Sequence, residues 1–494
     1  MKRKNPNDAL FRLVKSMNQG EKRFFSLMCQ RQASAKGKGY MKLFSAIDAQ
    51  AEYDEVKLKK QFKTDEHQYV IAKRYLYTLV LDSLVQHYVR DNETSVLPKL
   101  LELEILLAKG LYDLYDLLLY KLRIEAEEKN DFLIVLETFK REKRLQTYSY
   151  KYYDEKKLKQ IEEKENQYIE LYKEVETYYQ LSLEVIAYQN DYLKSGTQAF
   201  RDIAKRPLFR DLNKPKSVAS KISLRNSRGA YYRTSGDHKS SFNEYTAAIQ
   251  VLDANPAFKR SNPLFTISIY LNYVISCHNI KEYGKGLEYV DKYKEYISHY
   301  PEQQKNELTN IYLEELILNK DAGKKSEAMK LIAYLEKEIE NKKVARGDKI
   351  RLLFQINIAF ACSDFSEYQL SLKWINKILN YKDAERISFL YYYNARVLQL
   401  FNIFDMKKYE LLEFRVTAFQ RFILKYGPLS AVDRALLDFF QQLRSKNFTS
   451  NKKNIALLVG QLRAEIVKAV EDPAQTEVLL SFPDFSNWFE KHLR

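Results

Sequence analysis

From Leu111 to Ser195 the chain contains no glycine and no proline. A stretch of that length without either punctuating residue has few places to turn, and it favours long helices over short strands. The scarcity extends to the whole chain. It has 13 Gly and 10 Pro in 494 residues, below the usual shares of about 7% and 5%. Strand-like alternation is rare, while Lys, Glu, Leu and Tyr abound. The expected fold class is all-α. Within the Gly- and Pro-free stretch, Leu158, Ile161, Tyr168, Tyr172, Val175, Tyr179, Ile186 and Leu193 keep a three–four rhythm. That rhythm predicts one long helix, or two nearly collinear ones, packed antiparallel on a helix over 131–150.

Elsewhere the few turn residues fall between pairs of amphipathic segments. Around the middle of the chain, a helix over Lys221 to Arg233 meets the turn Ser235-Gly236-Asp237. A second helix then follows over Lys239 to Leu252. Its stripe is Phe242, Tyr245, Ala248, Ile249 and Leu252, one helical face. Asn255-Pro256 ends it. Gly229 lies where the second helix can approach closely. Similar pairs recur: Leu264–Asn279 with Gly284–Ile297, and Asn306–Asn319 with Lys325–Ile339 across Asp321-Ala322-Gly323. Lys349–Cys362 pairs with Ser366–Leu379, and Glu385–Leu400 with Met406–Leu424 across Asn402 to Asp405. The unit is roughly 35–45 residues, the range of helical repeats.

The two ends differ from this middle. Residues 1–97 predict a compact five-helix domain. Asn7 or Asp8 caps the first helix, Asn18 and Glu21 have capping-box spacing, and Asp54 caps the fourth helix. ASAKGKG at 33–39 reads as a loop, and the apolar helix ending near Arg90 reads as a buried central one. Pro98 suits the first turn of the next helix. At the other end, Gly427-Pro428 breaks the pattern, two helices follow, and Trp488 and Phe489 would fold back to cap the last hairpin. The expected organisation is thus 1–97, an N-terminal helical domain; 98–200, first hairpins with long helices; 201–426, a repeat array; and 427–494, capping helices.

The order small residue, aromatic, Gly-Asp turn, aromatic, Ala, Pro in the central hairpin, carried by Gly229, Tyr232, Gly236, Tyr245 and Ala248, resembles a tetratricopeptide repeat. Arg228 stands where that family prefers Leu, and Pro256 comes about three residues late against its period of about 34. EKRFF, YMKLFSAID, YDEVKLKKQF and AKRYLYTLVLDSL near the N-terminus, and FPDFSNWFEKHL near the C-terminus, resemble a mostly uncharacterised bacterial group with a helical N-terminal domain. The resemblance implies an N-terminal helical bundle followed by a right-handed α-solenoid of helical hairpins with a C-terminal helical cap. It implies fold more than function. The carboxylate clamp of better-known relatives is not reproduced, since Asn226 and Ala230 stand at its positions.

Charge narrows the function. The chain carries a net charge of +16, and residues 201–262, with 13 basic and five acidic side chains, hold +8 of it. Lys221, Arg225 and Arg228 fall at i, i+4 and i+7 on one helix face, with Tyr232 and Arg233 next along it. Such a face suits an acidic peptide or a phosphate backbone. A third reading is internal pairing with acidic residues of the helix over 154–184. Against an enzyme, the six histidines are scattered, and no GxSxG, Walker or dinucleotide pattern occurs. Cys277 and His278 are adjacent and diverge on a helix. Glu314-Glu315 reads as a solvated face. No metal or other cofactor is expected. Three distant cysteines fit a reducing compartment, and no run approaches the roughly 18 apolar residues of a membrane span. The expectation is a cytoplasmic, non-enzymatic protein- or peptide-binding scaffold, with Lys221, Arg225, Arg228, Tyr232 and Arg233 as contacts. The alternatives are a nucleic-acid-associated regulator and a ligand-sensing repeat protein with residues 1–97 as its output.

Overall fold

The computed structural model describes residues 8–31, 35–62, 66–91, 96–148, 153–189, 197–341, 347–443, 452–470 and 486–493. All regular secondary structure among them is helical. The chain divides into two units. One comprises Met1–Glu127 with Asp131–Tyr168, the other Glu128–Asn130 with Ile169–Arg494.

In the first unit, α1 (Ala9–Ser16), α2 (Gln19–Arg31), α3 (Ala35–Ala49), α4 (Glu55–Phe62) and α5 (Glu66–Asp91) share one core. Local capping sets their starts. Asn18 Oδ1 accepts from the Glu21 amide at 2.9 Å while Glu21 accepts from the Asn18 amide at 2.7 Å, a reciprocal capping box. Asp54 Oδ1 accepts from the Lys57 amide at 2.9 Å. Asp8 occupies the cap position of α1 without a side-chain bond; Asn7 lies outside the described residues. Two other expectations are corrected. From residue 35 the stretch is already helical, so the described part of ASAKGKG is helix and not the expected loop. Helix α5 buries Leu76 and Val80 but leaves Ile71, Val85 and Tyr88 exposed; the shorter helices beside it cover one side of its cylinder, not both.

Helices α6 (Val96–Ala108), α7 (Tyr112–Glu128) and α8 (Phe132–Tyr148) follow, with Pro98 in the first turn of α6. Leu193 lies outside the described residues, and from Leu158 to Ile186 the long rhythm forms one helix, α9 (Glu155–Gln189). It lies antiparallel to α8: Tyr168 meets Phe132 at 6.0 Å between ring centroids, and Lys157 pairs with Glu142 at 3.1 Å.

The second unit opens with two short helices, α10 (Gln198–Ile203) and α11 (Pro207–Arg210), and then runs as pairs. These are α12 (Val218–Thr234) with α13 (His238–Asp253), and, after α14 (Pro256–Ser261), α15 (Pro263–Asn279) with α16 (Tyr283–Ser298). Next come α17 (Pro301–Asp321) with α18 (Lys325–Glu340), and α19 (Asp348–Asp364) with α20 (Tyr368–Leu379). After α21 (Ala384–Ile387), α22 (Phe389–Asp405) pairs with α23 (Tyr409–Leu424). The turn expected at 402–405 is displaced, because α22 continues through it. Asn402 does not break the helix: its side chain is buried, accepting from Ser363 Oγ at 2.6 Å and donating to Ser371 Oγ at 2.7 Å. Helices α24 (Ala431–Gln442), α25 (Lys452–Val470) and α26 (Ser486–Leu493) complete the described chain. Trp488 of α26 folds back on α22, its ring 4.4 Å from that of Phe401.

One closure recurs at the turns. Gly236, Lys281, Gly323, Ser366 and Lys407 all have positive φ, between 56° and 81°. They recur every 41 to 45 residues along the chain. In each case the next amide reaches back to the carbonyl five residues before it, at 2.8 to 3.1 Å, as from Asp237 to Tyr232 and from Glu367 to Cys362. This is the Schellman closure, which satisfies carbonyls that a helix end would leave open. Gly110 and Asn130 close α6 and α7 in the same way. Five residues after the turn, a small side chain enters the second helix at Ser241, Gly286, Ala328 and Ser371, all buried. Ser241 Oγ donates to the Gly229 carbonyl at 2.8 Å, and Ser371 Oγ to the Ala359 carbonyl at 2.7 Å. The same bond spans the same 12 residues in two hairpins.

Candidate functional site

The α12–α13 hairpin carries every sequence-predicted contact residue. Ser217 caps α12 by accepting from the Ser220 amide at 3.0 Å. Gly229 lets α13 approach: a Cβ there would stand 2.7 Å from the Tyr245 ring. Tyr245 is fully buried, and burial pushes its phenol up to about 12.

The expected stripe is largely turned inward. Glu244 of α13, nearly buried, accepts from Arg225 at 2.8 Å and from Arg228 Nε at 2.7 Å. Arg228 also donates to the Phe209 carbonyl at 2.8 Å and lies 5.2 Å over the Phe209 ring and 5.5 Å over Tyr232. Tyr232 is half-buried there. Arg233 donates to Asn272 Oδ1 of α15 at 3.0 Å, and Asn272 donates to Asn226 at 3.2 Å. Lys221 is exposed, with no ion pair among the described residues. The stripe therefore is internally paired, with Glu244 of its own hairpin as the partner. The acidic helix α9 instead serves the connector. Glu184 holds Arg206 at 2.6 and 2.8 Å, and Glu174 accepts from the amides of Lys216 and Ser217 at 3.0 and 3.3 Å. The connector side chains Lys214 and Lys216 are exposed and, like Lys221, form no ion pair among the described residues.

A polar line continues along the first helices of the next hairpins. His278 of α15 meets Asp321 of α17 at 2.6 Å. Lys320 joins Asp321 at 2.7 Å and Asp364 of α19 at 3.5 Å. Burial pushes the Asp321 carboxyl up, but the His278 and Lys320 bonds outweigh it and hold it below the usual range. Glu315 pairs with Lys294 at 2.5 Å. Glu314 is not on a solvated face: burial raises its carboxyl, against weaker pulls from His278 and Arg233. The sequence carried a signal for this, since Glu314 is three residues after Ile311 and four before Leu318, both fully buried. Cys277 and His278 do diverge. The thiol is buried and pushed up to about 12 by that burial, while the imidazole faces Asp321. Among the described residues no cluster of three or more His, Cys, Asp or Glu side chains could hold a metal ion, and no helix is long and apolar enough to cross a membrane.

The chain matches no protein-family model, and no curated protein and no solved structure matches it either.

Proposed function

We propose that the chain is a non-enzymatic, cytoplasmic binding scaffold. Its hairpins stack as a right-handed α-solenoid of tetratricopeptide-like units, and an acidic segment of a partner protein lies on the basic connector ahead of α12. The recurring left-handed turn and the small residue five positions on support the repeat reading. One observation carries the functional reading: positive charge in this region is neutralised selectively. Arg225 and Arg228 share Glu244, whereas Lys214, Lys216 and Lys221 are left facing water. Uncompensated like charges on one surface repel each other and attract an acidic partner. Of the five predicted contacts, Lys221 keeps a contact role, and Arg225 and Arg228 hold the hairpin together.

The test is retention of partners from the native lysate by the wild-type chain and by a Lys214→Glu, Lys216→Glu, Lys221→Glu triple variant, with and without nuclease. Loss of nuclease-resistant protein partners in the variant is the expected result. Equal retention by both would refute the assignment. Retention of nucleic acid, with proteins lost on nuclease treatment, would move the same lysines to phosphate contacts.

A further inference from the structure

In the first unit a cavity of about 410 Å³ opens on α7. Its walls include Asp113, Asp116, Leu117 and Tyr120 of that helix, Glu142 of α8 and Lys157 of α9. The four α7 residues fall at i, i+3, i+4 and i+7, so they share one face along about 10 Å of helix. Leu117 and Tyr120 are 52% and 61% exposed, and Ile124, one turn beyond Tyr120, continues the apolar run at 38%. The face is thus acidic at its N-terminal end and apolar at its C-terminal end.

The charges in this recess do not balance. Glu142 is buried and engages both cations at the wall, Arg123 at 2.6 Å and Lys157 at 3.1 Å. Arg123 is held there by a bond to Thr138 at 2.9 Å and by the Phe139 ring 4.0 Å away. Asp116 has a 3.9 Å approach to Lys157. Asp113 is exposed and has no bonded partner among the described residues, and the Tyr120 ring has none either. The stretch around them has the same sign: residues 98–200 hold 20 acidic and 16 basic side chains in a chain of net charge +16, so this part attracts cations. An anion would meet Asp113 and Asp116 with both neighbouring cations already engaged. The three carboxylates do not converge as a set of metal ligands. A wholly apolar segment would bury two carboxylates unpaired. A small polyamine would pair with them but leave Leu117, Tyr120 and Ile124 wet. A guanidinium on a peptide meets both needs, since its planar donors bond carboxylates, its face lies on an aromatic ring, and its neighbours in the chain can be apolar.

We propose that this cavity binds a basic segment of a partner protein, with an arginine side chain against Asp113, Asp116 and the Tyr120 ring and an apolar neighbour on Leu117 and Ile124. The site shares no residue with the connector lysines and has the opposite charge, so it goes beyond the acidic-partner reading and does not depend on it.

The probe is a fluorescein-labelled synthetic peptide with arginines in one half and leucines in the other, titrated against the full chain at low salt. A peptide with citrulline in place of arginine keeps the shape and loses the charge. The site variant is Asp113→Asn with Asp116→Asn; neither side chain is buried, and its melting curve confirms folding. The control is Glu162→Gln with Glu163→Gln, which removes the same charge from an exposed part of α9. The expected result is binding of the arginine peptide, with at least tenfold weaker binding of the citrulline peptide and a similar loss in the site variant. Affinity should stay within twofold in the control variant and fall at least threefold in Tyr120→Ala. Equal losses in the site and control variants would mean diffuse attraction and overturn the site. Unchanged affinity in Tyr120→Ala would remove the ring from it and overturn it too. Spermine that displaces the peptide as well as unlabelled peptide does would make a small polyamine the occupant. A wild-type dimer in sedimentation that the site variant dissolves would make a second copy's basic segment the occupant. Either result overturns the proposal, as does an arginine peptide that does not bind.

Discussion

The indole Nε1 of Trp488 donates to the Asp405 carboxylate at 3.2 Å, across 83 residues of chain. The same carboxylate takes His492 Nε2 at 2.8 Å, Lys491 at 3.0 Å and the Tyr368 hydroxyl at 2.8 Å. Burial pushes the Asp405 carboxyl up, and the His492, Lys491 and Tyr368 interactions more than reverse this. A lowered carboxyl stabilises the fold above its ordinary value, and this contribution is lost as pH falls through the folded value. Asp405→Asn removes the charge that these donors share and is expected to cost about 3 kcal/mol. The chain has two tryptophans, so in a Trp374→Phe background all indole emission comes from Trp488. Asp405→Asn should shift that emission to the red; emission that stays in place would show that α26 docks by apolar packing alone.

Gly229 has no room for a methyl group. Gly229→Ala drives a Cβ into the Tyr245 ring and should cost about 1–3 kcal/mol. Tyr245→Leu should recover part of that loss, because the two sites share one space. The Tyr245 hydroxyl is buried without a hydrogen-bond partner, so Tyr245→Phe is expected to be neutral or stabilising. Denaturant unfolding of the single and double variants tests both statements, and additive costs would sink the first.

Three of the five recurring turns, at Lys281, Ser366 and Lys407, put a residue with a Cβ in the left-handed region. That conformation costs roughly 1–2 kcal/mol for an L-residue, and Gly avoids it at some expense in unfolded-chain entropy. Ser366→Gly and Lys407→Gly should each stabilise by up to about 1 kcal/mol. Gly236→Ala should destabilise by a similar amount. Thermal melting with all three variants of one sign would overturn the account.

Glu314 is raised by burial. A carboxyl whose folded value is raised favours folding at pH below its ordinary value. That advantage is lost as pH rises through the folded value, since the unfolded chain ionises more readily. At neutral pH the ionised group therefore works against the fold. Glu314→Gln should melt higher than wild type at pH 7, and the difference should close near pH 4. A variant less stable than wild type at pH 7 would show that Glu314 makes a favourable contact as an anion.

Cys277 and Cys362 are both pushed up to about 12 by burial, from an ordinary 9.0. The unfolded chain therefore releases these protons first, and stability falls as pH rises from about 9 toward 12. In the native state a disulfide reagent should modify them roughly a hundredfold more slowly than in urea. Fast native modification would mean that these hairpins open readily.

Much of this architecture was legible in the residues. The pairs around Gly236 and Gly323 follow from a glycine at the turn and a three–four rhythm on each side. The pairs closed by Lys281 and Ser366 follow from rhythm alone, and the pair closed by Lys407 from rhythm with its turn misplaced at 402–405, because neither Lys nor Ser marks a left-handed turn. There the closure is held by backbone bonds and packing. Asn402 and Asp405 look like turn residues on paper, yet both are consumed inside the fold by partners distant in sequence. The site was half legible. Spacing correctly put Lys221, Arg225 and Arg228 on one face, but what meets a face belongs to another helix. Glu244 sits between Phe242 and Tyr245, a carboxylate set into an apolar run, and it neutralises the two arginines. The connector lysines fell inside the basic stretch without being singled out, since exposure without a partner is a property of the assembled hairpins.

Asp405 also has a history in time. Translation adds about 5–20 residues per second, and Trp488 follows Asp405 by 83 residues, so about 4 to 17 seconds separate their emergence. Throughout that interval the carboxylate lacks three of its four donors, and Phe401 and Phe404 lack the indole that later covers them. The nascent chain thus carries a transient sticky end, in which a folding helper would find aromatic surface that the finished molecule conceals.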